Sequence, residues 1–250
     1  MKQASGLGPD GKKHFVTGMF SGIASHYDLV NSITSLCLDR YWRLKTVQAL
    51  GAKANQTVLD LCAGTLPLTA RALRSGATRL IALDISPNML RAGMSRAFKW
   101  KGKVYPICGD SELLPLRDQS VDGIVIAFGI RNLSNLTRAF SEMYRVLRPG
   151  GGLALVEFSV PTNFVISRLY LIYLKLFLIP VGTLFTGDRQ AYQYLAESIF
   201  KFPAPSEICT LISKTGFSHV RAHPLTLGLV TLYRASKIFT NRNSYDIASI

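Results

Sequence analysis

Several features that mark common classes of protein are missing from this chain of 250 residues. Its four cysteines, Cys37, Cys62, Cys108 and Cys209, lie far apart and form no C-x-x-C pair, which argues against a zinc site or a disulfide framework. The sequence offers no cluster of ligand residues at metal-binding spacing, so we expect no metal ion. The first 15 residues contain no apolar run, so we also expect no secretory signal.

Acidic residues are scarce as well. Lysine and arginine number 29 against 15 aspartate and glutamate residues, which gives a formal net charge of +14. Such a surface favours anionic partners, either nucleic acid or a membrane with acidic lipids. The charges are spread along the chain, however, and an ordinary soluble surface carries such an excess too, so charge alone does not decide between these. The cysteine pattern fits a reducing cytoplasm.

The most informative stretch is TVLDLCAGT at 57–65, taken together with RLIALD at 79–84. A short aliphatic run ends in Asp60 and is followed by a turn of small residues, and a second run ends in Asp84. Small side chains let a ligand approach the backbone of the turn closely. Asp84, 20 positions after Gly64, can accept hydrogen bonds from both hydroxyls of a ribose. The pattern predicts a site for an adenosyl cofactor.

Two cofactor classes fit such a site, dinucleotides and S-adenosylmethionine. The turn lacks G-x-G-x-x-G, because Thr65, Leu66 and Pro67 follow Gly64. Pro67 has no backbone N–H and Leu66 is bulky, so the turn is poorly suited to wrap a pyrophosphate. S-adenosylmethionine has no phosphate, and a carboxylate such as that of Asp60 tolerates its positive sulfonium. The residues favour S-adenosylmethionine over NAD.

Apolar periodicity predicts an α/β protein. Helical spacing runs from Phe15 to Leu50. Strands are then predicted at 57–61, 79–84, 104–108, 121–127 and 153–158, with helices at 67–73, 87–98 and 136–147. This alternation implies a doubly wound, mostly parallel, Rossmann-like sheet with helices on both faces. Two further runs, at 218–223 and 228–233, predict a C-terminal antiparallel hairpin.

The chain is predicted to hold one domain, at residues 14–235. Residues 1–13 are rich in glycine, lysine and polar residues and are expected to be mobile. Residues 236–250 are polar without periodicity and are expected to form a tail. Within the domain, residues 164–203 are predicted to be a lid or substrate-binding insertion.

The segment 164–185 is almost wholly apolar, although Arg168 and Lys175 interrupt it and Pro180 and Gly182 are expected to break a helix. Its uninterrupted apolar run is too short to span a bilayer, so a membrane span is not expected. A lid helix buried under the active site and an interfacial helix that touches lipid both stay open. The two are compatible, because a lid over an apolar substrate has the same composition.

Motifs along nearly the whole chain carry a family resemblance. They are MFSGIASHYDLVNSITSLCLDRYWR (19–43), VLDLCAGT (58–65), FGIRNL (128–133), YRVLRPGG (144–151), LVEFSVPTN (155–163) and GDRQAYQYLAESIFKFP (187–203). VLDLCAGT and LRPGG are shared by many methyltransferases, whereas FGIRN, EFS-x-P and GDR-x-AYQYL-x-ESI are specific. Over residues 14–236 the chain resembles the quinone C-methyltransferases of ubiquinone and menaquinone biosynthesis.

The resemblance implies methyl transfer from S-adenosylmethionine to a ring carbon of a polyprenylated quinol. Demethylmenaquinol is the favoured substrate, and a methoxy-polyprenyl-benzoquinol is the counterpart in ubiquinone synthesis. The expected partners are this quinol, a membrane surface contacted peripherally and a second copy in a homodimer, whereas nucleic acid is not favoured. The expected location is the cytoplasm, peripheral at the inner face of the membrane.

The family's cofactor contacts are carried over where this sequence matches them. Thr65 and Asp84 match, as do Asp110 and Ser111, the pair that holds the adenine ring in the family. Asp60 and Gly64 join them from the motif itself. The family usually has a serine where this chain has Ala127.

A larger departure lies in the turn. The family continues Gly-Thr-Gly-Asp where this chain reads Gly64-Thr65-Leu66-Pro67. Losing the second glycine is expected to put a side chain in the path of the cofactor's methionine end. Losing the aspartate removes a carboxylate near the cofactor. The turn is either rebuilt with adequate affinity, the interpretation we favour, or binds cofactor weakly.

Arg131 and Asn132 are the candidate catalytic residues. They follow the fourth strand, where open α/β sheets place substrate groups. An arginine there can stabilise a phenolate oxygen while the ring carbon is methylated. A salt bridge that ties down the loop is an equally good interpretation of Arg131.

Two rival functions stay open at this point. An RNA methyltransferase would explain the positive charge, although the chain lacks an Asn/Asp-Pro-Pro-aromatic motif after the fourth strand, a catalytic Pro-Cys and an RNA-binding module. A cofactor-poor scaffold of a quinone-synthesis complex would explain Leu66 and Pro67.

Overall fold

A computed structural model of the chain describes residues 8–23, 27–51, 55–95 and 100–239. The described part contains a seven-stranded sheet of β1 (Thr57–Leu61), β2 (Arg79–Asp84), β3 (Val104–Cys108), β4 (Val121–Ala127), β5 (Leu147–Phe158), β6 (Ser218–Leu225) and β7 (Val230–Ser236). The strand order is β3-β2-β1-β4-β5-β7-β6. Strands β1 to β5 run parallel, and β7 runs antiparallel to both β5 and β6. The predicted doubly wound sheet with its antiparallel hairpin is confirmed.

Helices precede the sheet, connect its parallel strands and fill the interval before β6. They are α1 (Pro9–Ile23), α2 (Tyr27–Thr34), α3 (Leu38–Leu50), α4 (Pro67–Arg74), α5 (Pro87–Met94), α6 (Leu136–Val146), α7 (Phe164–Tyr173), α8 (Ile179–Thr186), α9 (Arg189–Lys201) and α10 (Pro205–Lys214). Ser86 caps α5 by accepting from the Met89 N–H, with Pro87 in the first turn. α5 ends at Met94 rather than at the predicted residue 98, and residues 96–99 lie outside the described part.

Two apolar cores lie on opposite faces of the sheet. Because successive side chains of a strand point to opposite faces, Leu59 and Leu61 of β1 join one core, with Phe140 of α6. Val58 joins the other, which is covered by Trp42 of α3 and further residues of α4 and α5. The carboxyl ends of the parallel strands therefore stand at one edge between two layers of helices.

The N-terminal segment is helical earlier than predicted. We expected residues 1–13 to be mobile, but α1 begins at Pro9. The Lys12 Nζ donates to the Leu133 carbonyl at 2.6 Å, which ties the first turns of α1 to the body of the protein. Residues 1–7 lie outside the described part.

Strand β5 begins at Leu147, six positions before the predicted start at residue 153. The glycine-rich stretch 148–152 therefore belongs to the strand. Leu147 pairs with Val121, and the register then shifts before Gly123, which marks a β-bulge. The bulge lets an irregular stretch remain part of the strand.

The predicted polar tail, residues 236–250, starts inside the fold. Ser236 ends β7, and Lys237 is buried. The Lys237 Nζ donates to the Leu147 carbonyl at 2.8 Å. Residues 240–250 lie outside the described part.

One continuous helix runs from 164 to 186, although Pro180 and Gly182 were expected to break it. A π-helical turn at 174–178 joins α7 to α8. Pro180 lies two residues after this π-helical turn, whose altered hydrogen-bond pattern accommodates the missing N–H. Gly182 packs against the ring of Tyr192, which a Cβ at this position would approach to 2.3 Å.

This helix is mostly exposed. It is long and apolar enough to cross a membrane by length and composition, and only 17% of its most apolar window is buried. Arg168 and Lys175 still interrupt its apolar run, as the sequence indicated. The low buried share means that most of the helix is not enclosed by the rest of the protein. Its buried residues Tyr170, Leu174 and Leu178 form a third apolar cluster with α9.

Candidate functional site

A cleft opens at the carboxyl ends of β1, β2 and β4. Its walls come from the turn after β1, from Asp84 at the end of β2, from the segment after β3, and from α1. The residues that line it include Lys13, Cys62, Gly64, Thr65, Asp84, Asp110, Ser111, Glu112 and Asn132. The structure thus brings most of the predicted cofactor residues together at one cleft.

Asp84 organises the turn. Its Oδ2 accepts from the Gly64 N–H and its Oδ1 from the Ser86 N–H, both at 2.8 Å. Burial raises the pKa of Asp84, and these backbone N–H groups oppose the rise. Gly64 has φ +54, a left-handed conformation that suits glycine. A carboxylate oxygen accepts more than one hydrogen bond, so Asp84 keeps acceptor capacity at the cleft.

The unusual turn residues lie differently from what we expected. The Thr65 Oγ1 donates to the Asp28 Oδ1 at 2.5 Å, which ties the turn to α2. Leu66 is only 1% exposed and packs beside Gly93, where a Cβ would stand 2.5 Å from the Leu66 Cγ. The prediction that Leu66 obstructs the cofactor's path is therefore wrong, because the side chain is in the core. Leu66 adopts φ 68, which costs about 1 kcal/mol in a residue other than glycine.

Acidic residues after β3 form an ion-pair cluster with α1. The Lys13 Nζ lies 2.7 Å from the Asp110 Oδ2 and 2.9 Å from the Glu112 Oε2. The Ser111 Oγ lies 3.4 Å from the Cys62 Sγ. Sequence reasoning found Asp110 and Ser111 but missed Glu112 and Lys13. No local pattern indicates that a lysine 97 positions away in the chain reaches Asp110.

Asp60 does not line the cleft, contrary to its predicted contact with cofactor. It shares the face of β1 that carries Val58, so its side chain lies beneath α3 and α4. The Thr69 Oγ1 donates to its Oδ2 at 2.5 Å, and burial raises the pKa of Asp60 to about 7. Arg43 and the Thr69 hydrogen bond oppose that rise.

A second cavity of about 330 Å³ adjoins the cleft. Helices α1, α2, α3, α7 and α9 surround it. Its lining is almost wholly apolar or aromatic and includes Ile23, Leu36, Trp42, Phe158, Leu169, Tyr170, Tyr173, Tyr192, Tyr194 and Leu195. Such a lining suits a hydrophobic ligand with few polar groups.

The two cavities share part of their walls. Phe20, Tyr27, Arg43 and Phe128 line both. A molecule in the cleft and a molecule in the apolar cavity would therefore meet at these residues. Tyr27 and Arg43 are the polar residues among them, and sequence reasoning missed Arg43.

Arg131 lies in the wall of the apolar cavity as half of a buried ion pair. Its Nη1 donates to the Glu157 Oε1 at 2.8 Å and to the Phe128 carbonyl at 2.7 Å. Burial alone would lower the pKa of Arg131, but the Glu157 carboxylate raises it. The Arg131 Nε is buried and has no hydrogen-bond partner within the described residues. Arg131 does form the salt bridge that one interpretation predicted. Its place in the cavity wall is also compatible with the other interpretation, stabilisation of a phenolate oxygen.

Asn132 lines the cleft rather than the apolar cavity. The Tyr194 Oη lies 3.3 Å from the Asn132 Oδ1, so a residue of α9 reaches the cleft wall. Ala127, which replaces a serine of the family pattern, also lines the cleft. Among the described residues, no group of three or more His, Cys, Asp or Glu could hold a metal ion.

Comparison with a family model identifies the kind of protein that contains these two cavities. The model of the ubiE/COQ5 methyltransferase family matches residues 9–237. The chain belongs to the ubiE/COQ5 methyltransferase family. The demethylmenaquinone methyltransferase of Mycobacterium bovis is 43% identical over 222 residues, covering 89% of this chain and 92% of the relative. That of Beutenbergia cavernae is 39% identical over 235 residues, covering 94% and 96%.

Solved structures of other methyltransferases share the fold of this ubiE/COQ5 member. A SAM-dependent methyltransferase of Thermotoga maritima has a TM-score of 0.60 at 19% identity, covering 88% of this chain and 99% of that one. Phosphoethanolamine N-methyltransferase 2 of Haemonchus contortus, in complex with S-adenosyl-L-methionine, has a TM-score of 0.59 at 18% identity, covering 79% and 52%. At these identities the likeness concerns the fold.

As a ubiE/COQ5 methyltransferase, the protein is an S-adenosylmethionine-dependent enzyme, and the predicted family, enzyme class and cofactor are confirmed. The cleft fits this cofactor. Carboxylates of Asp84, Asp110 and Glu112 suit hydroxyl groups and positive charge, and the Gly64 turn leaves backbone accessible. A pyrophosphate would meet the negative charge of these carboxylates there.

Proposed function

We propose that this methyltransferase transfers the methyl group of S-adenosylmethionine to a ring carbon of a polyprenylated quinol, with demethylmenaquinol as its substrate in menaquinone biosynthesis. The names of its relatives support this substrate. The observation that carries the proposal is the meeting of an acidic cleft with a large apolar cavity at shared residues. Methyl transfer needs the two reactants in contact and in line, and this junction is where a quinol ring would face the cleft.

In the proposed complex the cleft residues hold the cofactor. Asp84 accepts from the ribose hydroxyls, and Asp110 with Ser111 contacts the adenine. Gly64 and Thr65 border the methionine end of the cofactor through their backbone. Asp60 does not reach the cleft surface, and it supports the site from beneath by accepting the hydrogen bond from Thr69 at the start of α4.

Arg131 and Asn132 are proposed to act on the quinol. S-adenosylmethionine supplies an electrophilic methyl group on a positive sulfur. The ring carbon becomes nucleophilic as the adjacent phenolic oxygen gains negative charge, and a nearby cation stabilises that charge. Arg131 lines the cavity wall and supplies the cation, while Glu157 holds the guanidinium in place. Asn132 offers its side-chain amide at the cleft wall, and it lies 3.3 Å from the Oη of Tyr194, which lines the apolar cavity.

The apolar cavity is proposed to hold the ring and the first part of the polyprenyl tail. Residues 164–203 serve as the lid, because α7 and α9 contribute Tyr170, Tyr173 and Leu195 to the lining. The lid packs on the rest of one domain, which we propose to extend from Pro9 to Lys237, slightly beyond the predicted limits 14–235.

A polyprenyl tail is insoluble in water, so the enzyme has to meet its substrate at a bilayer. We therefore propose peripheral contact with the inner face of the membrane, aided by the net charge of +14. We also propose that the protein forms a homodimer in solution. Nucleic acid is not a proposed partner.

The test is incubation of the purified protein with methyl-labelled S-adenosylmethionine and either demethylmenaquinol or methoxy-polyprenyl-benzoquinol, followed by extraction and mass analysis of the lipid. We expect label on a ring carbon of the naphthoquinol product. Label only in the benzoquinol would instead identify the quinol of ubiquinone synthesis as the substrate. Absence of label, together with absence of cofactor binding in calorimetry, would favour the scaffold instead.

A further inference from the structure

The outer face of the helix 164–186 is an exposed apolar surface. We define this outer stripe by Val165, Leu169, Ile172, Leu176, Pro180 and Leu184, which follow one another at intervals of three or four residues and are all exposed. Leu176 is 75% exposed and Leu184 is 82% exposed. Leucine side chains exposed in a row on one helix face mark a surface that binds something apolar.

The inner face of the same helix is committed to the substrate cavity. Tyr170 and Leu178 are buried and line it. The Tyr173 Oη donates to the Thr34 carbonyl, which attaches the helix to α2 across the cavity. The helix cannot leave to span a bilayer without opening that cavity, so it is suited to lie in the plane of an interface.

The cavity opens next to the outer stripe. Leu36, in the link between α2 and α3, and Leu169 both line the cavity, yet they are 74% and 60% exposed. A side chain that lines a cavity and is also this exposed stands at its mouth. Apolar side chains at a mouth favour entry from an apolar phase over entry from water.

The charges of the helix select the kind of apolar partner. Arg168 and Lys175 are exposed, and the segment 164–186 contains no acidic residue. A second copy docked by a two-fold axis on this face would bring like charges together. Anionic lipid headgroups complement both cations, while the leucines enter the acyl region and the lysine stem extends to the headgroups.

We propose that the outer stripe binds the surface of an anionic bilayer, and that the polyprenyl tail passes from the lipid into the cavity through the mouth at Leu36 and Leu169. This inference rests on the proposed function for the identity of the substrate. The binding of the stripe to lipid is independent of it. The helix is thus both the membrane contact and one wall of the substrate site.

The first experiment measures co-sedimentation of the full chain with vesicles of phosphatidylglycerol and phosphatidylcholine in equal parts. The double variant Leu176→Ser with Leu184→Ser, two residues that do not line the cavity, should weaken binding about tenfold or more at every salt concentration. Tyr105→Ser, an exposed aromatic on the edge strand β3, is the matched control and should bind as the wild type does.

Charge is tested separately. Arg168→Gln with Lys175→Gln should weaken binding about tenfold at low salt, and the difference should shrink as salt rises. Lys101→Gln with Lys103→Gln removes the same charge at the start of β3 and should have a smaller effect. Wild-type binding by the double serine variant would overturn the proposal. The proposal would also be overturned if the wild type is a dimer that does not bind vesicles and the double serine variant is a monomer.

Activity separates this inference from the proposed function. The double serine variant should methylate a quinol with a single-isoprene tail in solution at the wild-type rate. Its rate on a long-tailed quinol held in vesicles should fall about tenfold. Equal rates for variant and wild type on the vesicle substrate would overturn the entry route. A wild type that binds vesicles but methylates neither quinol would contradict the proposed function and leave the lipid contact supported.

Discussion

The cofactor cleft and the apolar cavity of this methyltransferase are built in opposite ways. The cleft takes most of its polar groups from short segments directly after β1, β2, β3 and β4, so the sheet itself positions them, and the N-terminal helices add Lys13, Tyr27 and Arg43. The cavity takes most of its aromatic and aliphatic side chains from α1, α2, α3, α7 and α9, which come from distant parts of the sequence. A site assembled from strand ends is visible as motifs, whereas a site assembled between helices is visible only once the helices are packed.

The cleft and the apolar cavity meet at a shared wall. Phe128 follows β4 and lines both spaces, while Arg131 three positions later is buried against Glu157. Local chain direction at the end of β4 therefore decides which side chains line the cleft and which line the apolar cavity. Four changes test whether the two regions are as separate as their construction implies.

The largest effect is expected at the Arg131–Glu157 pair. Arg131→Gln leaves the Glu157 carboxylate buried without its cation, which should lower the free energy of unfolding by about 3–5 kcal/mol in denaturant titrations. The double variant Arg131→Gln with Glu157→Gln carries no buried charge there and should recover much of this loss. Single-turnover rates should stay low in the double variant, because the proposed cation is still absent. Recovery of the rate together with stability would assign Arg131 to anchoring the loop.

The next largest effect is expected at the cleft alone. Asp84→Ala removes the proposed acceptor of the ribose hydroxyls, so cofactor affinity should fall by about 1.5–3 kcal/mol in calorimetric titration. Binding of an apolar quinone to the second cavity should be unchanged. Asp118→Ala removes a carboxylate that is 73% exposed and should leave both affinities intact. An unaltered cofactor dissociation constant in Asp84→Ala would remove this residue from the site.

A smaller effect is expected from Leu66→Gly, and it concerns stability rather than binding. The variant loses a buried side chain but relieves a left-handed leucine, for a net loss of about 1–2 kcal/mol in the free energy of unfolding. Cofactor affinity should stay within about threefold, because Leu66 packs beside Gly93 and not in the cleft. Much tighter binding, alone or with Pro67→Asp, would show that the departure from the family turn does weaken the site.

The smallest effect is a pH dependence from Asp60. A buried acid with a raised pKa holds its proton more tightly in the folded chain than in the unfolded one. Stability is therefore lost as pH rises from the ordinary pKa of 3.8 through about 7. Between about pH 6 and about pH 8 the wild type should lose about 1 kcal/mol that Asp60→Asn retains, since one pKa unit corresponds to about 1.4 kcal/mol. If the melting temperatures of the two proteins change equally with pH across that range, the raised pKa of Asp60 is contradicted.

Sequence reasoning predicted the cleft better than the cavity for a physical reason. Strand spacing, small turn residues and a terminal acid at Asp84 are local requirements, so each leaves a pattern within a few residues. Lys13 and Glu112 meet only because α1 lies against the end of β3, and no short pattern records that contact. Asp60 was misplaced for the same reason, since which face of β1 is covered by helices depends on the whole sheet.

For the long apolar helix, the sequence predicted the composition of the element but not its exposure. Composition predicted an apolar element at 164–185 but left a buried lid and an interfacial helix open, and Pro180 was expected to break it. Exposure is decided by what packs against a helix, and here α2 and α9 cover only one face. The π-helical turn that lets the helix continue to Pro180 is likewise a matter of three-dimensional packing.

Periodicity and motifs along the chain predicted the α/β class, the alternation of strands with helices, the family and the adenosyl cofactor. The tertiary structure decided that Leu66 enters the core, that Arg131 pairs with Glu157, and that cleft and cavity meet at Tyr27 and Phe128. Each of those outcomes depends on the distance and direction between elements far apart in the chain. Such distances arise from how the helices pack on both faces of the sheet, which no local pattern specifies.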